Sequence, residues 1–109
     1  MAYNKATIAY KTFLEDKYMN RAIVTVLGRD RVGIIASVSN RLSELSINIL
    51  DITQTIMDED IFVMLMLVDL SEAKSSFHEV KEALRLLGEA QHVSVRIQSE
   101  EIFDAMHKV

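Results

Sequence analysis

The chain has no cysteine among its 109 residues. Disulfides, thiolate zinc sites and cysteine nucleophiles are thereby excluded, which suits a reducing compartment. No uninterrupted apolar run approaches the about 20 residues that span a bilayer, and the N-terminus lacks a charged-then-apolar signal layout. A cytoplasmic protein without a membrane partner is the expectation. Basic excess is missing too: 12 Lys and Arg stand against 16 Asp and Glu, for a net charge of −4. A nucleic-acid partner would call for a concentrated surplus of Lys and Arg. Aromatic residues are few, and Phe62 is the only one in any predicted strand, so the stacking platform of an RNA-recognition sheet is not built. The histidines His78, His92 and His107 fall in separate elements without ligand-type spacing, so no metal site and no cofactor are expected. No nucleophile-elbow pattern is present and no carboxylate pair stands out. The chain does not read as an enzyme.

Half of the residues are hydrophobic, enough to build a core for a single domain. The most informative stretch joins Ala22–Leu27, a β-branched and apolar run, to an apolar stripe at Ile34, Ile35, Val38, Leu42 and Leu45. The first reads as a strand and the second as a helix. Between them Gly28 and Gly33 bound a short charged loop, Arg29-Asp30-Arg31-Val32. A strand–loop–helix junction of this kind aims the unpaired N–H groups of the helix's first turn at the loop, where the helix dipole favours an anion or carboxylate. Asp30 fits as the capping residue. The spacing alone leaves open whether the glycines only permit turning and Asp30 only caps. It is neither a dinucleotide fingerprint nor a Walker loop, because the glycine spacing is wrong and no Gly-Lys-Ser/Thr follows.

Downstream, Ile47–Met57 reads as a second strand with Leu50, Ile52 and Ile56 on one side and Asp51, Thr53 and Thr55 on the other. Asp58-Glu59-Asp60 makes an acidic hairpin turn, short of the oxygens a calcium site needs. The third strand, Ile61–Val68, has no polar residue. Helices would cover one face, with Met64 and Met66 as core filler, and covering the other calls for a second copy of the chain. Ser76-Phe-His-Glu79 has the form of a capping box, opening a helix striped by Phe77, Val80, Leu84 and Leu87 that ends at Gly88. Val93, Val95 and Ile97 alternate with polar residues in a fourth strand. Ser99 caps a short tail helix with Ile102, Phe103 and Met106 on one side.

The resulting β-α-β-β-α-β order predicts an α+β, ferredoxin-like sandwich: a four-stranded antiparallel sheet with two helices on one face. Residues 1–18 are read as an N-terminal extension without assigned function, 19–99 as the domain and 100–109 as a helical tail.

Asp30-Arg-Val-Gly-Ile-Ile-Ala36, preceded by an Ile-Val-Thr-Val strand and followed by Leu45-Ser-Ile-Asn-Ile-Leu-Asp51, resembles the ACT domain. The closest likeness is to small stand-alone bacterial ACT proteins related to the ACT domains of the glycine-cleavage repressor and of formyltetrahydrofolate deformylase. Val32 departs from the pattern, since many members have proline there and gain rigidity from it. The resemblance implies a regulatory sensor that binds an amino acid or similar metabolite at the interface of a homodimer and signals to a separate partner protein. It implies that the ligand carboxylate meets backbone N–H groups around Val32, Gly33 and Ile34, with Asp30 near the ammonium group and Arg31 in the same loop. Asn48 and Ile49 would supply side-chain and backbone contacts. Two alternatives share the fold. One is an interaction module without a ligand. The other is an acylphosphatase-like enzyme using Arg29 or Arg31 and Asn48, although that family's Gly-x-Val-x-Gly-x-x-Phe-Arg loop is absent.

Overall fold

The computed structural model describes residues 20–29, 33–58 and 60–106. The extension read at residues 1–18 and His107 lie outside them. The elements run β1 (Arg21–Arg29), α1 (Ile34–Glu44), β2 (Asn48–Met57), β3 (Ile61–Asp69), α2 (Phe77–Gln91), β4 (Ser94–Ser99) and α3 (Glu100–Met106). The strands form one antiparallel sheet in the order β2-β3-β1-β4, with α1 and α2 on one face. This is the ferredoxin-like arrangement that the alternation of strands and helices predicts.

Period-2 burial separates the two sheet faces. Ala22, Val24 and Val26 of β1, Phe62, Met64, Met66 and Val68 of β3, and Val95 and Ile97 of β4 are buried beneath the helices. Ile34, Val38 and Leu42 of α1 and Val80 and Leu84 of α2 close that core from above. On the other face Val63, Leu65 and Leu67 are half-buried and Ile61 is exposed. Edge strand β2 is uncovered along most of its length, with only Ile49 half-buried. A register shift between Ile49 and Asp51 sets Leu50 outside the ladder, so Leu50 does not share the regular alternation expected of it. Ile52 and Ile56 pair with Met66 and Phe62, yet both remain exposed.

Two glycines serve packing where turning was expected. Gly28 does not end β1, which continues to Arg29 opposite Ile61. A Cβ on Gly28 would stand 2.6 Å from Val93 Cγ1. Gly88 does not cap α2 either. The helix runs on to Gln91, and His92 takes the left-handed capping position with φ 61. A Cβ on Gly88 would stand 2.6 Å from the Val93 carbonyl oxygen, so the missing side chain lets α2 lie close against the start of β4. The start of α2 is as expected: Ser76 Oγ accepts from Glu79 N at 3.2 Å, and the Glu79 carboxylate accepts from Ser76 N at 3.2 Å.

The tail helix α3 is held by Ser99 Oγ, which accepts from Ile102 N at 3.2 Å, and by a largely buried ion pair between Arg21 and Glu100 at 2.8 Å. Its Ile102 and Met106 stay exposed. Among the described residues no helix is long and apolar enough to cross a membrane. Alanine favours a helix interior over glycine, yet Gly88→Ala should destabilise the fold by about 1–3 kcal/mol because the added methyl meets backbone. Urea denaturation of the two proteins measures it.

Candidate functional site

Gly33, at the start of α1, is exposed. Helix α1 begins at Ile34, which makes Gly33 the capping residue in place of Asp30, three positions too early in the chain. Gly33 sits at φ 88, is exposed, and has nothing within 4 Å of where a Cβ would lie. Its carbonyl accepts from Ser37 N at 2.8 Å. Among the described residues no side chain caps the helix, and its first turn contains no acidic residue. Asp30, Arg31 and Val32 lie outside the described residues. Ile34 is 2% exposed; its side chain belongs to the core and only its backbone faces the junction.

Asn48 and Ile49 stand at the other end of α1. Their approach is set by the helix C-terminus: Leu45 N donates to Arg41 O, Ser46 N to Ser43 O and Ile47 N to Leu42 O, with Ser46 at φ 60. The reversal places Asn48 in an open cleft of about 450 Å³ with Ser39, Ser43, Ser46 and Glu72. Three hydroxyls, an amide and a carboxylate offer both donors and acceptors to a small polar molecule, and the carboxylate suits an ammonium group. Sequence reasoning passed over the serines and Glu72. Ser39 and Ser43 are one helical turn apart, so projecting the polar side of α1 toward Asn48 would have found them.

Among the described residues, the predicted ones do not converge within one protomer. Eleven helical residues separate Gly33 from the Asn48 turn, a span of about 16 Å at 1.5 Å per residue. An amino acid cannot touch both. The acylphosphatase pairing of Arg29 with Asn48 fails on the same ground. Arg29 lies opposite Ile61 and Asn48 opposite Asp69, about 25 Å apart along β3. Arg29 is instead ion-paired with Asp60 of the acidic turn at 3.0 Å.

A second cleft, of about 480 Å³, lies between α2 and β4, where Lys81, Arg85 and Glu89 form one helical stripe beside Val93–Gln98. Arg85 bridges Glu82 at 2.9 Å and Glu89 one turn further on. Its hydrogen bond holds the Glu82 carboxyl below the ordinary carboxylate range, and Arg85 is raised in turn.

The profile of the ACT domain matches residues 20–98. A UPF0237 protein of Listeria innocua is 54% identical over 89 residues, spanning 82% of this chain and 99% of its own. The chain belongs to the ACT domain family. Among solved structures, an ACT domain protein from Streptococcus pneumoniae superposes with a TM-score of 0.69 at 41% identity, covering 81% of this chain and 98% of that one. A candidate glycine cleavage system transcriptional repressor gives 0.62 at 26% identity, covering 72% of this chain and 44% of its own. In this ACT domain Gly33 and the cleft around Asn48 lie at opposite ends of the first helix.

Two outcomes follow from the local chemistry. Gly33→Ala meets no steric obstacle and should lose about 1–2 kcal/mol through its left-handed backbone alone, with Gly33→Asn less affected because asparagine tolerates that region. Thermal denaturation of both variants measures the order. Because the folded Glu82 carboxyl is depressed, its pairing stabilises the domain above the unfolded-state value and is lost as pH falls through the folded one. An NMR titration of side-chain carboxyls should place Glu82 below the ordinary glutamate midpoint, and Arg85→Gln should move it back up.

Proposed function

We propose that this ACT domain is a regulatory sensor that binds an amino acid between two copies of the chain. The observation that supports this reading is the placement of two candidate half-sites: an exposed Gly33 at the start of α1 and a hydroxyl-rich cleft at Asn48, one helix length apart. A twofold pairing of β2 edges brings them together. Met57 and Gly33 lie at one end of the sheet, Asn48 at the other, so antiparallel β2 strands set the Asn48 end of one copy beside the Gly33 end of its partner. The ligand carboxylate then meets the first-turn amides of one α1, in the loop that Asp30, Arg31 and Val32 contribute to. Asn48 and the Ile49 backbone of the other copy hold the rest, with Glu72 beside the ammonium group.

The exposed β2 side chains Leu50, Ile52, Ile56 and Met57 supply the apolar surface that such a pairing buries. They also support the second reading, a module that pairs copies without any ligand. In the sensing reading the ligand stabilises one dimer arrangement by its differential affinity for the two states, and nothing more. The candidate repressor among the structural neighbours supports a regulatory rather than a catalytic role.

Thermal-shift screening against the standard amino acids separates the two. A ligand at a hundredfold over its Kd should stabilise the protein by about 2.7 kcal/mol, and both Asn48→Ala and Gly33→Val should abolish that gain. Sedimentation at micromolar concentration should show a dimer. Dimers that respond to none of the panel favour the interaction module, and a monomer under all conditions removes both readings.

A further inference from the structure

The sheet face turned away from α1 and α2 is partly occupied by the protein's own tail. Residues paired across neighbouring strands share a face, so the register puts Ile23 and Gln98 at one end of this surface, Thr25 and Arg96 across its middle, and Leu27 and Ser94 at the other end. Helix α3 contacts β1 and β4 at the first end. There Glu100 pairs with Arg21 at 2.8 Å, and Gln98 Nε2 donates to Met106 Sδ at 3.5 Å. The other end is bare, with Leu27 47% exposed.

The tail helix leaves an apolar stripe of its own uncovered. Ile102 and Met106, one turn apart, are 56% and 62% exposed. Ile23 and Leu27 stand about 13 Å apart along β1, and packed helices lie about 8–10 Å apart, so this face has room for a second helix beside α3. A twofold axis lying across the strands at Thr25 lays the Leu27 end of one copy over the Ile23 end of another. Each α3 then lies between two sheets, and its bare stripe meets Leu27 of the other copy. The charges agree with this placement. Helix α3 carries Glu100, Glu101 and Asp104 and no cation, while Arg96 is the cation of the middle row. Glu101, Asp104 and Arg96 are all exposed, and among the described residues none of the three has an ion pair within its own chain. The rotation brings the acids of one copy toward the guanidinium of the other.

We propose that this face pairs with the same face of a second copy, the two tail helices forming the layer between the sheets. The middle row continues through Leu65 to Thr53, near the midpoint of β2. The β2 pairing proposed above has its own twofold axis at that midpoint, perpendicular to the sheet. The two axes cross, so four copies close into a D2 tetramer in which β2 edges and open faces are both used. The face pairing rests on its own geometry and requires neither a ligand nor the β2 pairing.

Sedimentation of the full chain from about 1 μM to about 1 mM tests it. A dimer at the dilute end should pass to a tetramer at the concentrated end. The variants I102E/M106E and Leu27→Lys, all at exposed positions, should weaken the face association at least about tenfold with an unchanged thermal midpoint in dilute solution. Arg96→Glu should weaken it as well, and adding E101K/D104K to Arg96→Glu should restore it, the signature of a charge pair between copies. Ile56→Glu separates this contact from the sensing reading: it should remove the β2 pairing and leave a dimer that I102E/M106E abolishes. Absence of any association beyond the β2 step at about 1 mM overturns the proposal, as does association that survives I102E/M106E or a loss in Arg96→Glu that the reversed acids do not rescue.

Discussion

Val93 sits where two glycines leave room for it, and the placement of β4 depends on that fit. Its side chain occupies the space a Cβ on Gly28 would need, its carbonyl the space a Cβ on Gly88 would need, and its amide donates to Gly88 O at 2.9 Å. One residue thereby pins the last turns of α2, the far end of β1 and the entry to β4 at a single point. The close approach of helix to strand fixes how near the Lys81–Arg85–Glu89 stripe lies to the β4 edge. The buried pair Val95 and Ile97 then continues the core from this pivot, seating Leu84 and Val80 above.

The same fit explains where sequence reasoning succeeded and where it misplaced a boundary. The capping box at Ser76 and Glu79 was legible because two side chains at fixed spacing satisfy two backbone donors, a purely local transaction. The alternation of Val95 and Ile97 with Arg96 and Gln98 was legible because one-sided burial leaves a period of two. Gly28 and Gly88 were misread as chain-turning residues because glycine has two uses, positive φ and missing bulk, and a sequence does not say which applies. The third glycine, Gly33, is the one with positive φ, and it displaced Asp30 from the capping position. His92 and Ser46 take left-handed backbone without being glycine; no local signal announced either.

The candidate site was partly legible. Gly33, Ile34, Asn48 and Ile49 could be chosen by likeness to a motif, but a motif orders residues along the chain and says nothing of which end of a helix each occupies. Counting would have done so: the intervening helix is a rigid rod, so a loop before it and a turn after it lie a full helix length apart. The serines of the Asn48 cleft went unread because hydroxyls on an exposed helical face are ordinary surface until a neighbouring turn gives them a concave partner.

Connectivity then shapes what the domain can do. A βαββαβ chain places β2 and β4 at the two ends of one sheet, each flanked by a helix, so each edge comes with a groove. The two are not equivalent. Beside β2 the cleft is hydroxyl-rich with the Glu72 carboxylate and the strand bears exposed Leu50, Ile52, Ile56 and Met57; beside β4 the stripe of α2 holds Arg85 paired with Glu82 and Glu89, and the strand is regular. An apolar, self-complementary edge suits association with a copy of itself, because twofold symmetry sets like against like and would oppose equal charges. Because both outer strands bond to the β1–β3 pair at the centre, an ordering event at one edge has a continuous hydrogen-bonded path to the other. Any coupling along it is bounded by the free energy that separates the sheet's two states.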